Sequence, residues 1–509
     1  MGESIESRIQ LAREFDFVPV HRRLLSDTLT PVTAFRLLDD GGPGCLFESV
    51  IGGEKVGRYS ILASKPLARF WSKGRDYFYR EIKADTEQIQ GQADDPLSIF
   101  RGHLAFRVAP LADLPPFIGG AIGYAGYDTV RYVEKLPESS VNDRDLPDLD
   151  FGFYHTLCVF DNVGKTITVV HLADCRGISD QTEATEIQEI LSDARTKVDQ
   201  TIEQLSHPEV VTAPETWDVE KWNEAIAESP LRVTSNMSQE TFEDAVRSCV
   251  EYIRAGDIFQ VVPSQRMEIE SDIDPLEIYR SLRVVNPSPF MFYVRTPNCV
   301  LVGCSPEVMV RVADKAVTVR PLAGTRPRGA TEAEDRELER ELLADPKERA
   351  EHVMLVDLGR NDVGRVARYG TISLTEVMIV ERYSHVMHIS SEVQGQLRDG
   401  LDAFDALKAA LPAGTVSGAP KVRAMEVIDE IEPHRRGPYG GAVGYIDYRG
   451  NMDTCIALRT MVIADGKIHV QAGCGVVADS DPTTEYQETV NKAAAMIRAV
   501  QLTHQRLQG

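Results

Sequence analysis

The segment GGAVGYIDYRGNMDTCIALRTMVIADGKIHVQAGCGVVADSDPTTEYQET (residues 440–489) contains strand patterns that follow one another without a helix between them. A hairpin is predicted near 442–463, where apolar runs are separated by polar turn residues. A terminal helix is predicted from about 482, because Asp481 can cap it and Pro482 fits its first turn. Strands and helices therefore do not alternate as βαβ units, which favours an α+β fold over a doubly wound sheet.

Changes of pattern along the chain predict three parts. Residues 16–175 contain short strand-like runs separated by Gly, Pro and Asp turns, which indicates an N-terminal subdomain. Residues 176–237 contain one amphipathic helix and then a surface linker with three prolines. Residues 238–505, which open with Ser238 as the predicted helix cap, form a larger second domain. The motif GGAIGY of the first part echoes GGAVGY of the last, which indicates either two similar sheets or merely two glycine-rich strand ends.

The composition is that of a globular enzyme, with 509 residues, 43% of them hydrophobic, and a formal net charge of −23. This acidity disfavours nucleic acid as a partner, because polyanions need a surface of Lys and Arg. The eight cysteines form no CxxC pair, which argues against a zinc ribbon and predicts reduced thiols. The N-terminus has no apolar signal core, and no apolar run is long enough to span a membrane. We therefore expect a cytoplasmic protein that binds neither nucleic acid nor a membrane.

Two ExxE motifs are the strongest candidates for a metal site. Glu348 and Glu351 lie in one predicted helix, and Glu485 and Glu488 lie in another. A spacing of three residues places both carboxylates of a pair on one helical face. Two such faces brought together suit a hard cation such as Mg²⁺ that keeps some of its waters. The alternative is a solvated charged face, which is the usual explanation for a lone ExxE.

Further candidates for chemistry lie between these helices. HVMHI (residues 385–389) reads as a strand, so at most one of its histidines can face a given site as an acid or base, and a structural histidine is the commoner explanation of such a residue. The loop LPAGTVSGAPK lacks the spacing of a phosphate loop and leaves only a glycine-rich turn before a helix. Arg459, in an apolar strand pattern, needs an anionic partner if it is buried, either a substrate carboxylate or a structural Asp. Taken alone, these features indicate a divalent metal, a carboxylate-bearing substrate and acid–base chemistry.

Read together, the segments closely resemble the chorismate-utilising enzymes, and within them the anthranilate synthase branch. The shared motifs occur in the family's order and cover most of the chain outside residues 180–237: LLDDGGPGCLFESV, GGAIGYAGYD, AGDIFQVVPSQR, NPSPFMFYV, SPE, RPLAGTRPRG, AEHVMLVDLGRNDVGRV, YSHVMHISSEV, LPAGTVSGAPK, GPYGGAVGY, ALRT and AGCGVVADSDPTTEYQET. The resemblance implies two packed antiparallel β-sheets flanked by helices, with the active site in the cleft between them. It also implies a lyase that makes anthranilate and pyruvate from chorismate and ammonia via aminodeoxyisochorismate, the first step of tryptophan biosynthesis.

The resemblance also implies roles for matched positions. The implied Mg²⁺ ligands are Glu351 and Glu488, supported by Glu348 and Glu485. The implied catalytic residues are Glu307, as the general acid at the departing 4-hydroxyl, His388 rather than His385 in the second half-reaction, and Thr415, which lines the pocket. The implied substrate-binding residues are Tyr439, Arg459, Gly473, Gly475, Gly324, Thr325 and Lys492.

Two positions separate the branches of the family. Gln260 stands where relatives that add water carry a Lys, which favours ammonia as the nucleophile. Ala323, in PLAGT, stands where aminodeoxychorismate synthases carry a catalytic Lys, which disfavours that activity. An aminase that stops at aminodeoxyisochorismate is the alternative that these motifs separate least well. A non-catalytic amino-acid sensor is a further alternative, although it would have no need of the glutamates.

The resemblance implies a feedback pocket for tryptophan and a partner subunit. The matched pocket residues are Glu48, Ser49, Arg58, Asn286, Pro287, Ser288, Pro289, Phe290, Met291 and Cys455; for the NPSPF part of this set, a rigid turn entering a strand is the structural alternative. The sequence contains no glutamine-amidotransferase segment, so we expect ammonia to come from a separate glutamine amidotransferase subunit or from free ammonium.

Overall fold

The computed structural model describes residues 4–49, 57–82, 88–207, 217–228, 231–383 and 386–508. Within these ranges the chain forms two large antiparallel sheets flanked by helices, which confirms the predicted α+β class. A separate two-stranded ladder joins β12 (Gln260–Val261) to β21 (Gly418–Ala419).

The first sheet has eleven strands and joins both halves of the chain. In spatial order its strands are β1 (Phe17–Leu25), β10 (Thr166–Asp174), β9 (Thr156–Asp161), β3 (Tyr59–Ser64), β2 (Gly44–Glu48), β14 (Phe290–Arg295), β15 (Val300–Ser305), β24 (Thr460–Ala464), β25 (Lys467–Gly473), β13 (Ser264–Glu270) and β11 (Thr234–Ser235). The halves meet between β2 and β14, where Glu48 pairs with Met291.

The second sheet has twelve strands and also joins both halves. In spatial order its strands are β18 (Leu322–Pro327), β20 (Val386–Gln396), β17 (Ala316–Val319), β16 (Val308–Ala313), β23 (Met452–Ile456), β22 (Ala442–Asp447), β7 (Gly120–Ala125), β8 (Leu149–Tyr154), β4 (Ala68–Lys73), β5 (Asp76–Glu81) and β6 (Ile89–Gln92), with β19 (Ser373–Arg382) paired to β20. The two echoing glycine motifs are the neighbours β7 and β22, in which Gly123 pairs with Gly444. They therefore belong to one sheet and do not mark two similar ones.

The two sheets pack face to face through a shared apolar core. Phe292 and Leu301 of the first sheet lie in the same buried cluster as Phe151 and Ile446 of the second. The opposite face of the first sheet packs against helices in a second buried cluster. Alternation of side chains along each strand supplies both faces, since successive residues point to opposite sides of a sheet.

Twelve helices surround the sheets in the described part of the chain. They are α1 (Ile5–Glu14), α2 (Pro31–Leu38), α3 (Pro96–Gly102), α4 (Ala184–Leu205), α5 (Val219–Glu228), α6 (Gln239–Ala255), α7 (Pro275–Val285), α8 (Glu332–Ala344), α9 (Pro346–Val366), α10 (Ala403–Ala410), α11 (Lys421–Ile431) and α12 (Pro482–Gln508). The predicted caps are present: Ser238 accepts a hydrogen bond from the Thr241 amide, and Asp481 accepts one from the Thr484 amide. None of the described helices is long and apolar enough to cross a membrane.

Two sequence predictions differ from the fold in detail. The helix predicted for Glu348 and Glu351 is the second of two consecutive helices, because Asp345 ends α8 and caps a new helix that begins at Pro346. The predicted linker contains α5, whose Trp222 packs against Leu502 of α12. Both sheets draw strands from before and after this segment, so the two halves share one folded framework. All eight cysteines are buried and free.

Candidate active site

The candidate site lies where the chain crosses from one sheet to the other. Glu307 lies between β15 of the first sheet and β16 of the second. Arg459 lies between β23 of the second sheet and β24 of the first, so the chain crosses there in the opposite direction. The crossings are adjacent, since the Ile456 amide donates to the Glu307 carbonyl and the Cys304 amide donates to the Arg459 carbonyl. A crossing ends regular strand pairing, so side chains here can face a common space between the sheets.

Helices α9 and α12 bring the four candidate metal-binding glutamates to this space. Glu348 and Glu351 lie on α9, and Glu485 and Glu488 lie on α12. Burial raises the pKa of Glu351, and the negative charges of Glu348 and Glu488 raise it further. Burial likewise raises the pKa of Glu485, with a further contribution from Glu488. The two ExxE faces are therefore close enough to repel each other.

Each glutamate has a different environment. The Gln260 side-chain amide donates to Glu351 Oε1 at 3.2 Å, and Arg326 donates to Glu348 Oε1 at 3.2 Å. Lys492 Nζ lies 2.7 Å from Glu488 Oε1. Glu485 Oε2 is buried and has no hydrogen-bond partner among the described residues. Burial of an unpartnered carboxylate oxygen is costly, and a cation would relieve it together with the mutual repulsion.

The carboxylates fit Mg²⁺, although they do not form a closed cage. Among the described residues, no group of three or more His, Cys, Asp or Glu side chains is arranged to hold a metal ion by itself. Mg²⁺ prefers oxygen ligands and usually keeps several waters, binding through one or two carboxylates plus its substrate. The oxygen-only donor set and the unpartnered Glu485 Oε2 agree with such an open site.

Glu307 is a buried carboxylic acid held by two donors. The Thr415 hydroxyl donates to Glu307 Oε1 at 2.8 Å, and the Leu322 amide donates to the same oxygen at 3.4 Å. Burial raises the pKa of Glu307 to about 8, and these two hydrogen bonds oppose the rise. The side chain is therefore mainly protonated at neutral pH and can donate a proton.

His388 is a buried neutral imidazole with one free nitrogen. Its Nδ1 lies 2.8 Å from the Gly324 carbonyl and 3.1 Å from the Thr325 hydroxyl. Because a carbonyl can only accept, Nδ1 carries the proton and Nε2 keeps its lone pair. Burial, aided by the charge of Arg459, lowers the pKa of His388 to about 4, and Nε2 has no partner among the described residues. His385 lies outside the described residues.

A wall suited to an anion combines Arg459, Tyr439 and the backbone at Gly473 and Gly475, with Lys492 beside Gly473. Arg459 has a left-handed backbone, with φ of 47°, and its positive charge helps to lower the pKa of His388. A Cβ atom at Gly473 would lie 2.8 Å from the Pro263 carbonyl oxygen and 3.1 Å from Tyr439 Oη. Lys492 Nζ donates to the Gly473 carbonyl at 3.0 Å. At Gly475 a Cβ would lie 2.7 Å from Gln260 Nε2. Only glycine leaves the backbone accessible at these positions.

Most of the predicted inhibitor-binding residues lie together at the edge of the same sheet crossing. Glu48 accepts hydrogen bonds from Tyr279 Oη at 2.7 Å and from Arg283 Nη2 at 3.1 Å. The Ser288 hydroxyl donates to the Ser305 carbonyl at 2.8 Å. Ser49 Oγ is buried without a partner among the described residues.

The remaining members of that set differ in their contacts. Asn286 donates to Cys304 Sγ at 3.2 Å, and Cys455 is buried on β23 with its thiol directed to the Val443 carbonyl at 3.5 Å. The guanidinium of Arg58 is paired with Asp161 of β9 at 2.9 Å. The contacts of Arg58 therefore include a partner outside the predicted pocket.

Sequence reasoning missed two residues that contact the site-bearing segments. Arg436 and Glu432 form a buried ion pair at 2.6 Å behind Tyr439. The motif PHRRGPYGG gave no signal that the second of its arginines is fully buried, because its partners lie in distant segments. Gln260 was considered only as a marker of the nucleophile, whereas it also donates to Glu351.

Comparison with known proteins gives the same family as the sequence motifs do. Residues 54–498 match the model of the chorismate binding enzyme family. The chain is 43% identical to anthranilate synthase component 1 of Acetivibrio thermocellus, over 96% of this chain and 97% of that protein. It is 46% identical to the protein of the same name from Pseudomonas putida, over 96% and 97%.

Solved structures agree with the sequence relatives. Anthranilate synthase component I from Streptococcus pneumoniae TIGR4 superposes with a TM-score of 0.74 at 36% identity, covering 94% of this chain and 99% of that one. The menaquinone-specific isochorismate synthase of Escherichia coli has a TM-score of 0.65 at 19% identity, covering 97% and 98%, and shows the shared fold alone.

Proposed function

This chain belongs to the chorismate-binding enzyme family, and on that basis we propose that it catalyses the anthranilate synthase reaction. Chorismate and ammonia give aminodeoxyisochorismate with loss of the 4-hydroxyl as water, and this intermediate then gives anthranilate and pyruvate. Near-complete coverage by anthranilate synthase component 1 relatives supports this branch of the family.

Glu307 is the single observation that supports this chemistry best. Departure of the 4-hydroxyl needs a proton donor, and Glu307 is a carboxylic acid whose pKa of about 8 keeps it protonated at neutral pH. The Thr415 hydroxyl fixes its orientation. General acid catalysis of this kind contributes about 10²–10⁴-fold to a rate.

Mg²⁺ is the proposed cofactor, held by Glu351 and Glu488 with Glu348 and Glu485 in support. When bound, it neutralises the ring carboxylate and withdraws electron density from the ring. Gln260 orients Glu351 through its 3.2 Å hydrogen bond, and Lys492 orients Glu488. Such outer contacts fix ligand geometry in metal sites.

The enolpyruvyl carboxylate is proposed to bind at the wall made by Arg459, Tyr439 and the backbone at Gly473 and Gly475. Arg459 supplies the positive charge, and glycine allows the substrate to approach the main chain. Gly324 and Thr325 bond to His388 Nδ1, so the unpartnered Nε2 is the available acceptor for the C2 proton in the second step.

The ammonia is proposed to come from a separate glutamine amidotransferase subunit. The name component 1 of the relatives implies a second component.

Tryptophan is proposed as a feedback inhibitor that binds near Glu48, Ser49, Asn286 to Met291 and Cys455. The buried, unpartnered Ser49 Oγ supports a ligand here. Ser288 donates to the Ser305 carbonyl, and Ser305 is hydrogen-bonded to the backbone of Glu307 at 3.3 Å. A ligand that displaces Ser288 would therefore act on the segment that carries the general acid.

The test is product analysis with the isolated chain, chorismate, Mg²⁺ and ammonium at pH 8, following anthranilate fluorescence and pyruvate together. Equal amounts of both products are expected. Consumption of chorismate without pyruvate would indicate an aminase that lacks the lyase step. No consumption, with ammonium replacing the partner's supply, would overturn the enzyme assignment and favour a sensor.

A further inference from the structure

Arg436 is a fully buried side chain that contacts several parts of the candidate site at once. It is 2% exposed and follows α11. Its Nη1 donates to the Val416 carbonyl at 2.6 Å, and its Nη2 donates to the Val262 carbonyl at 2.7 Å. All three guanidinium nitrogens are thus used, since Nε also donates to Glu432 at 2.9 Å.

The two carbonyls belong to segments that carry site residues. Val416 follows Thr415, whose hydroxyl donates to the general acid Glu307. Val262 lies two residues after Gln260, whose amide donates to Glu351. These two segments also pair with each other, with Gln260 opposite Ala419. Arg436 therefore holds the segment that contacts the general acid Glu307 in a fixed position relative to the segment that contacts Glu351.

The carboxylate of Glu432 extends the same network to the substrate wall. Glu432 Oε1 accepts from the Ser264 amide at 2.8 Å and from the Ser264 hydroxyl at 2.7 Å, in addition to Arg436 Nη2. Ser264 is the strand partner of Gly473. On the other side, the guanidinium carbon of Arg436 lies 5.5 Å from the centre of the Tyr439 ring.

A buried ion pair is a poor device for stability alone, because well-packed apolar residues of similar size often serve as well or better. Its value is directional: the planar guanidinium holds several acceptors at fixed angles, which a lysine ammonium cannot do. We propose that Arg436, with Glu432, is a positioning residue that holds Thr415, Gln260 and Gly473 in their catalytic arrangement. The proposal deepens the anthranilate synthase assignment and rests on it for its activity readout.

The test compares charge-matched variants with the ammonium-dependent assay. Arg436→Lys keeps the charge, and the double variant Arg436→Met/Glu432→Gln removes both charges, so neither leaves an unpaired buried ion. The matched control is Arg69→Met/Asp150→Asn, because partly buried Arg69 and buried Asp150 form a two-bond pair at 2.7 Å on strands β4 and β8, which carry no candidate site residue. All three are screened first by thermal unfolding.

Both site variants are expected to lower kcat about 100-fold, the typical cost of misplacing catalytic groups by about 1 Å. The control pair is expected to lose similar thermal stability and to keep kcat within about twofold. A second readout is the alkaline limb of the kcat profile. A displaced Thr415 no longer lowers the pKa of Glu307, so this limb should move to higher pH, with Tyr383 as the other ionisable group close to Glu307.

A third readout does not depend on turnover. Hydrogen exchange should become at least about tenfold faster in the peptides that span 258–264 and 411–419 of the double site variant, and should stay unchanged there in the control. Folded site variants with kcat within twofold of wild type and unchanged exchange would overturn the proposal. If the wild-type chain makes no anthranilate, the proposed function fails separately, and the exchange rates decide the positioning role.

Discussion

The catalytic space and the predicted inhibitor pocket lie on either side of Ser305, yet their polar groups are satisfied in different ways. In the catalytic space, His388 Nε2 and Glu485 Oε2 are buried with no partner among the described residues. In the pocket, Glu48 is bonded by Tyr279 and Arg283, and Ser288 is bonded by Ser305. Among the described residues there, the Ser49 hydroxyl and Arg283 Nε are buried without a hydrogen bond, and Arg283 Nε forms an ion pair with Glu48 at 2.8 Å.

Buried polar groups are normally hydrogen-bonded, so an unpartnered one is a position where a bound water or a ligand can complete the network. The catalytic space contains two such unpartnered groups, Glu485 Oε2 on α12 and His388 Nε2 on β20. Its glutamates also repel one another. The pocket residues mostly bond to one another, and within the described part of the chain Ser49 offers a ligand a hydroxyl that has neither a hydrogen bond nor an ion pair. We therefore expect substitutions in the catalytic space to act on turnover by orders of magnitude, and those in the pocket to act modestly on inhibitor affinity.

The largest effect is expected from the metal site. Glu488→Gln should lower kcat about 1,000-fold, because metal charge stabilisation amounts to several kcal/mol, and chelation of Mg²⁺ should abolish turnover of the wild type. In the metal-free protein the same variant should unfold at an equal or higher temperature, since it relieves repulsion with Glu351.

Glu341→Gln is the matched control, because Glu341 is a more exposed glutamate that pairs with Arg326 at 2.9 Å beside the cluster. It should keep kcat within about twofold of wild type, as expected for a surface pair. Equal loss in both variants would show that the effect is not specific to the cluster.

The next effect concerns Glu307. Glu307→Gln keeps the shape and the Thr415 contact but cannot donate a proton, so kcat should fall about 10²–10⁴-fold. The pKa of Glu307 is raised from 4.5 to about 8, so the acid form persists up to that pH and wild-type kcat should fall above it. Rates are compared at constant concentrations of free ammonia.

The glutamine variant should lack this alkaline limb altogether. The thermal stability of the wild type relative to the variant should fall as the pH rises from 4.5 to about 8, because the unfolded chain releases the proton that the folded Glu307 retains over this range. A variant with wild-type kcat and an unchanged pH profile would remove Glu307 from the acid role.

A smaller effect is expected at the substrate wall. In Gly473→Ala the new Cβ lies 2.8 Å from a backbone oxygen and 3.1 Å from Tyr439 Oη, so it obstructs the carboxylate site. The KM for chorismate should rise about tenfold or more, with a lesser change in kcat. Gly177→Ala, where a Cβ meets no atom within 4 Å, should leave KM unchanged.

The smallest effect is expected in the inhibitor pocket. Ser49→Ala removes one unpartnered hydroxyl and should raise the inhibition constant for tryptophan about tenfold, the equivalent of one good hydrogen bond. Ser288→Ala should change it less than threefold, because that hydroxyl is already bonded to Ser305. The opposite ranking in inhibition assays would contradict the contrast between free and paired groups.

Local features of this fold were predictable from the sequence, because they depend on neighbours in the chain. The caps at Ser238 and Asp481 and the start of α12 follow from residue type and position alone. The buried side of α9 could not be predicted in the same way. Apolar Val353 is 51% exposed, whereas His352 is buried and hydrogen-bonded to Ser391.

For long-range features, the sequence predicted the general class of fold but not which distant segments are neighbours. The pairing of β7 with β22 joins residues more than 300 positions apart, and their similar glycine motifs did not reveal that they are neighbours. The roles of Arg436 and Glu432 were missed for the same reason, since the value of a buried charge depends on tertiary partners. The four glutamates could be proposed as a metal site from the sequence, because each pair has a local helical spacing.

Binding of chorismate measured by isothermal titration, with and without Mg²⁺ and without ammonia, tests most directly whether ligands complete the catalytic space. Mg²⁺ should tighten chorismate binding about tenfold or more in the wild type, within the usual range for coupled sites, and less than twofold in Glu351→Gln. Chorismate affinity that is the same with and without Mg²⁺ in the wild-type chain would contradict a shared metal and substrate site at these glutamates.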